Sequence, residues 1–191
     1  MTTAIPARKP ITYTPAQNFI PDAGQPVEIK PSLFWLRMPL PFELEHINLW
    51  LLEGANGWTI VDTGFNAPET TAHWDNIFTG RFKTKPVEDI FITHFHPDHF
   101  GLAGWLSERS GVTVQMTEPE FNLARLLTDA ENGEALADAY RPYYFEAGLD
   151  EKLLEEMLNR RFAYRRAVYK PPRSVQIVRP FENVMLGGRA F

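Results

Sequence analysis

The 191-residue chain contains no cysteine. That absence excludes a disulfide framework, a thiol nucleophile and any zinc or iron–sulfur centre held by thiolates, so a metal here has only His, Asp and Glu to hold it. Long apolar runs are missing too. The best candidate, Ile47 to Leu52, is interrupted by Asn48 and falls far short of the roughly 18 to 20 residues that cross a membrane. The N-terminal stretch MTTAIPARKPITYTPAQ has no apolar centre of the kind that marks a secretory signal. A cytoplasmic protein without membrane contact is the expectation. Positive charge is in short supply, 19 Lys and Arg against 24 Asp and Glu for a net −5, which argues against a general nucleic-acid binder. The deficit is uneven: residues 151–191 carry nine basic and four acidic side chains, a local +5, and the first 150 residues carry −10.

What is present suits a packed fold. Hydrophobic residues make up 44% and aromatics 13% of the chain, enough side-chain volume for a core without covalent staples. Residues 1–31 hold six of the sixteen prolines and little periodic hydrophobicity, so they read as an extended lead-in. Residues 32–116 read as an αβ unit. Leu33-Phe34-Trp35-Leu36-Arg37-Met38 and Ile47-Asn48-Leu49-Trp50-Leu51-Leu52 have strand character, and Glu53-Gly54-Ala55-Asn56-Gly57 turns the chain into Trp58-Thr59-Ile60-Val61-Asp62. Asn66 as cap, Pro68 in the first turn and Glu69 at the capping-box position predict a helix ended by Gly80. A strand over 88–93, a helix around Trp105 stopped by Gly111, and a strand over 112–116 follow. Residues 117–172 read as a helical block, opened by the capping box Thr117-Glu118-Pro119-Glu120 and closed by a helix from about 150 to 169 before Pro171-Pro172. Residues 173–191 return to strand character at 175–178 and 184–186 and are read as the start of a second β half. The order implies an α+β fold.

Thr93-His94-Phe95-His96-Pro97-Asp98-His99-Phe100-Gly101 carries the chemistry. On an extended strand end His94 and His96 point to one side, because side chains alternate with period 2. Pro97 forces a turn that presents Asp98 and His99 at the mouth of the next helix, close enough for a second ion. Three histidines and one aspartate within six residues would cost several kcal/mol to desolvate unless something bound them. Imidazole and carboxylate suit zinc, iron or manganese, and the lack of thiolate points to an open catalytic site rather than a closed structural one.

This segment resembles the His-x-His-x-Asp-His signature of the metallo-β-lactamase superfamily. The likeness extends back through Thr59-Ile60-Val61-Asp62-Thr63-Gly64 and His46 to Leu52, and forward into Gly101-Leu102-Ala103-Gly104. Its arrangement is most similar to the glyoxalase-II-like hydrolases. The resemblance implies an αββα sandwich, of which this chain supplies mainly the first αβ half and a helical insertion that serves as a lid. It implies that His94 and His96 bind one metal, that Asp98 and His99 bind a second, and that Asp98 orients or deprotonates the attacking water. Asp62 matches a carboxylate that holds the ligand loop from behind, while His46 and His73 match no ligand position. His46 is read as a strand side chain and His73 as a helix-surface residue.

In the complete fold two zinc ions, or alternatively iron or manganese, would activate a hydroxide against an ester, thioester, lactone or phosphodiester of a small-molecule substrate. The superfamily's second half supplies further ligands, and His99 is the last histidine of this chain. The chain therefore reads as truncated, with weak zinc binding, little hydrolysis by itself, and a tendency to self-associate or to join a missing C-terminal half. The other readings are an iron-dependent persulfide oxygenase, a nuclease-type relative, and a non-catalytic half-domain serving as a binding subunit. Nucleic-acid contact would rest on Arg161, Arg165 and Arg166, which share a helix face near Lys170 and Arg173. The weightier reading of these arginines is a solvated face whose cations offset the helix dipole.

Overall fold

The computed structural model describes residues 20–191, apart from the side chains of 130–134, 136, 137 and 159–162. Its frame is a seven-stranded sheet in which spatial order follows chain order. Strands β1 (Val27–Lys30), β2 (Leu33–Pro39), β3 (His46–Glu53) and β4 (Trp58–Val61) form an antiparallel meander. Strands β5 (Val87–Phe91), β6 (Val114–Thr117) and β7 (Val175–Val178) then continue in parallel with β4.

Alternation sets the two faces of the sheet. Phe34, Leu36 and Met38 of β2 lie opposite Leu51, Leu49 and Ile47 of β3, and the row continues through Ile60, Ile90 and Val114. Leu36, Leu49, Ile60, Ile90 and Val114 are each 0% exposed, and burial of side chains of this size stabilises by about 2 kcal/mol apiece. The other face carries Trp35, Trp50, Val61 and Phe91, all half-buried.

Helices cover the first face. Helix α1 (Pro68–Thr79) packs on β2 through Trp74, and α2 (Pro97–Phe100) leads by way of Gly101 and Leu102 into α3 (Ala103–Ser110), which packs on β5 and β6. Gly111, at φ +75°, ends α3 in the left-handed conformation that favours glycine. Helices α4 (Glu118–Thr128), α5 (Ala130–Glu146) and α6 (Glu151–Ala167) connect β6 to β7. Asp150 caps α6, its carboxylate accepting from the Leu153 amide at 2.9 Å. Among the described residues no helix is long and apolar enough to cross a membrane.

Several expectations change. The lead-in expected over 1–31 ends in β1, which pairs with β2 because the prolines at 26 and 31 flank the strand rather than interrupt it. Ala67, not Asn66, is the N-cap of α1, and no side chain caps it; the Asn66 amide donates instead to Ala167 O at 3.2 Å. Residues 175–178, expected to open a second β half, complete the first sheet: Pro171-Pro172 ends the helical connection and returns the chain alongside β6, with Val114 opposite Val175. Among the described residues, only the strands β8 (Met185–Leu186) and β9 (Arg189–Ala190) pair outside that sheet.

Gly101 sets how closely α2 approaches the loop after β4. A Cβ there would run into the carbonyl oxygens of Pro97 and Gly64 and, at 2.8 Å, the amide nitrogen of Asn66, all backbone atoms that no rotamer change can move. Gly101→Ala is therefore expected to destabilise the chain by about 2 to 3 kcal/mol in urea denaturation. A loss below about 0.5 kcal/mol would show that the two backbones part without cost.

Candidate metal centre

The candidate residues collect where β4 and β5 end and α2 begins, outside the carboxyl ends of parallel strands. Asp62 follows β4 at φ +63°, a left-handed conformation that costs a non-glycine residue about 1 kcal/mol. The turn aims its carboxylate inward, where Asp62 is 4% exposed. Oδ1 accepts from the Thr93 amide at 2.8 Å. Oδ2 accepts from the Thr93 hydroxyl at 2.8 Å and from His99 Nδ1 at 2.7 Å. Thr63 holds the same helix by its backbone end: its amide and hydroxyl both donate to His99 O, at 2.8 and 2.7 Å. Its own carbonyl accepts from Trp74 Nε1 at 2.8 Å, which ties in α1.

These bonds fix tautomers. With its Nδ1–H given to Asp62, His99 keeps a lone pair on Nε2. The Thr93 hydroxyl has one proton, already donated to Asp62, so towards His94 Nδ1, 2.9 Å away, it acts as acceptor. His94 Nε2 is thereby left with its lone pair as well, and it faces His96 Nδ1 at 3.0 Å. His99 Nε2 stands 3.5 Å from Asp98 Oδ2. The rings of His94 and His99 are 4.0 Å apart between centroids. Burial, together with the neighbouring His99 and His96, lowers the His94 pKa against the opposing pull of Asp62 and Asp98. Burial pulls His99 down as well, but the hydrogen bond and charge of Asp62, with Asp98, outweigh it and raise that group.

The donor set suits a divalent cation in chemistry and partly in number. Two imidazole nitrogens on one tetrahedral zinc stand about 3.3 Å apart, close to the His94–His96 separation of 3.0 Å. The four residues form two pairs, His94 with His96 and Asp98 with His99. Among the described residues no group of three or more His, Asp or Glu side chains could hold a metal ion.

The helical block holds the same loop from outside. Glu120 Oε2 accepts from the Phe95 amide at 2.7 Å, and the Tyr164 hydroxyl donates to the Phe95 carbonyl at 2.5 Å. The residue between the two histidines is thus held on both sides of its backbone. Burial, and secondarily the charge of Glu120, push the Tyr164 phenol well above its usual range, so it remains a donor. Thr117 is the N-cap of α4 as the capping box predicted, but without a side-chain cap bond, and Glu120 serves Phe95 instead. His46 lines a cavity with Arg37 and Pro39, and His73 faces Gly24 and Glu69. His73 is not a bare surface residue: its side chain is 22% exposed, its ring packs on Gly24, and Nε2 is 3.9 Å from Glu69.

A family model described as the metallo-beta-lactamase superfamily matches residues 43–178. The chain belongs to that superfamily. Among solved structures it is similar to a beta-lactamase domain protein from Burkholderia ambifaria, with TM-score 0.75 and 34% identity over 92% of this chain and 51% of the other. A metallo-beta-lactamase family protein from Thermus thermophilus matches with TM-score 0.66 and 28% identity over 85% of this chain and 51% of the other. Among curated relatives, a ribonuclease Z of Leuconostoc mesenteroides is 42% identical over 74 residues, 38% of this chain and 21% of that protein. A probable metallo-hydrolase of Bacillus subtilis is 30% identical over 74 residues, 38% of this chain and 23% of that protein. This chain spans about half the length of the two solved relatives.

Of the arginines on which nucleic-acid contact would rest, two have described side chains. Arg165 lines a cavity, Arg166 is exposed outside that lining, and the side chain of Arg161 lies outside the described ones.

Asp62→Ala would leave three donors without their acceptor at a partly solvated site, and we expect a loss of about 2 to 3 kcal/mol in urea denaturation. Thr93→Val keeps the Asp62–His99 bond and should cost only about 1 to 2 kcal/mol. In ¹⁵N spectra of the histidines it should alter the tautomer of His94 and leave that of His99 unchanged; a change in both rings would contradict the relay through the hydroxyl.

Proposed function

We propose that this chain carries half of the catalytic machinery of a metal-dependent hydrolase. The observation that supports this best is that one carboxylate, Asp62, turns the Nε2 lone pairs of both His94 and His99 towards their partners, His96 and Asp98. A structural role for three imidazoles and a carboxylate would not need two separately oriented lone pairs.

His94 with His96, and Asp98 with His99, are the residues that would hold two divalent cations, zinc being the common choice in this superfamily. Such cations supply Lewis acidity to a carbonyl or phosphoryl group and to water. Asp98, with a side chain 20% exposed, keeps an oxygen accessible and is the group we assign to orient the attacking water and accept its proton. Asp62 is buried and fully engaged with Thr93 and His99, so it positions rather than reacts. Further ligands to each ion would come from outside the described residues.

Among the substrate classes considered, the phosphodiester is favoured by the name ribonuclease Z on several partial relatives. None of these names is that of a glyoxalase-II-like hydrolase.

Equilibrium dialysis against zinc tests the pairing. The chain should bind up to two ions, and His94→Ala and His99→Ala should each remove one and spare the other. Loss of both ions in either variant would point to a single shared site. In protein that holds both ions, hydrolysis of bis(p-nitrophenyl) phosphate should exceed that of a thioester, and the reverse preference would reject the phosphodiester reading; Asp98→Asn, which removes a ligand of the second ion together with the proton acceptor, should lower hydrolysis about a hundredfold or more.

A further inference from the structure

The cations unused by the histidine cluster gather around one cavity. It has a volume of about 530 Å³ and lies where α4 and α6 end and the segment after α6 begins. Arg125 enters from α4, Arg165 from α6, and Lys170 and Arg173 from the following segment; Asp129 and Tyr169 also line it. Lys170 is spoken for, 2.7 Å from Glu108. Glu108 also accepts from the Tyr169 hydroxyl at 3.1 Å. Arg125 stands over the Phe121 ring, 5.7 Å from its centroid. Among the described residues, Arg125, Arg165 and Arg173 form no ion pair.

Compensation of helix dipoles does not account for the whole set. Two helix C-termini bring about half a negative charge each, and Asp129 brings one more. Against these stand three arginines, so an excess of about one positive charge remains. Arg173 lies beyond any helix end and offsets no terminal carbonyls. The volume falls within the roughly 300 to 1,000 Å³ typical of small-molecule sites. Tyr169, Pro171 and Pro172 add ring surface to the lining beside its charges, although Lys170 Nζ stands 5.5 Å from the centroid of the Tyr169 ring.

We propose that this cavity binds a phosphate group carried on an organic moiety. Arg165 and Arg173 donate to the phosphate oxygens, since guanidinium forks match that geometry, and the ring surface receives the organic part. A free nucleotide and the phosphorylated end of an RNA strand both offer this chemistry. The site shares no residue with the histidine cluster, and the proposal does not depend on the hydrolase reading.

Titration calorimetry of the full chain would test it, with EDTA present so that the histidines hold no cation, using ADP and a 5′-phosphorylated ten-nucleotide RNA as separate probes. Saturable binding of at least one probe is expected, weakened about tenfold by Arg165→Ala and by Arg173→Ala. Both side chains are exposed, so these variants should keep the wild-type Tm. Lys152→Ala, which removes an exposed charge from the other end of α6, should bind as wild type. Binding of ADP with that pattern identifies a free organic phosphate as ligand, and binding of RNA alone identifies a strand end. Absence of saturable binding by either probe, or equal weakening in Lys152→Ala, would overturn the proposal.

Discussion

A single buried carboxylate organises this end of the molecule. Asp62 accepts from a backbone amide, a hydroxyl and an imidazole on two different elements, the segment after β5 and helix α2. Hydrogen bonds to a charged acceptor are worth about 1.5 to 3 kcal/mol each, which exceeds the roughly 1 kcal/mol cost of its left-handed backbone. The strained turn is therefore held by the bonds that it makes possible. Thr63 extends the effect, because its carbonyl takes the Trp74 indole while its amide and hydroxyl take the carbonyl of His99. Placement of α2 and orientation of two histidines thus share one cause in Asp62, and the next residue of the same turn, Thr63, ties in α1.

Much of this was legible in the sequence for identifiable reasons. Alternating apolar residues marked β2 and β3, and the glycines at 54 and 57 marked the turn after them, since period and turn chemistry act locally. The His-x-His-x-Asp-His spacing stood out because so many imidazoles and carboxylates in six residues have no use in apolar packing, and the Asp-Thr-Gly segment stood out as a polar turn directly after an apolar strand. Glu120 and Tyr164 were hidden. Each reaches Phe95 from 25 or 69 positions away in sequence, and nothing local distinguishes a glutamate that caps its own helix from one that crosses to another element. The capping-box pattern suggested the first and the fold uses the second. Membership of β7 in the first sheet was equally invisible, because strand propensity says nothing about which edge a strand will join.

Helix α6 joins two functions at consecutive residues. Successive side chains on a helix diverge by about 100°, so Tyr164 is buried towards Phe95 while Arg165 is exposed at the cationic cavity. One turn on, Ala167 O accepts from the Asn66 amide at 3.2 Å, and the Tyr169 amide donates to Gly101 O at 2.8 Å. The end of α6 therefore bonds to the histidine loop, to the loop after β4 and to the end of α2. A block anchored in this way cannot swing open as a unit without breaking buried hydrogen bonds. The outer part of the α5–α6 pair packs separately, through a small cluster of Leu154, Leu158 and Tyr144 apart from the main core. That division assigns the inner turns of the helical block to holding the histidine loop.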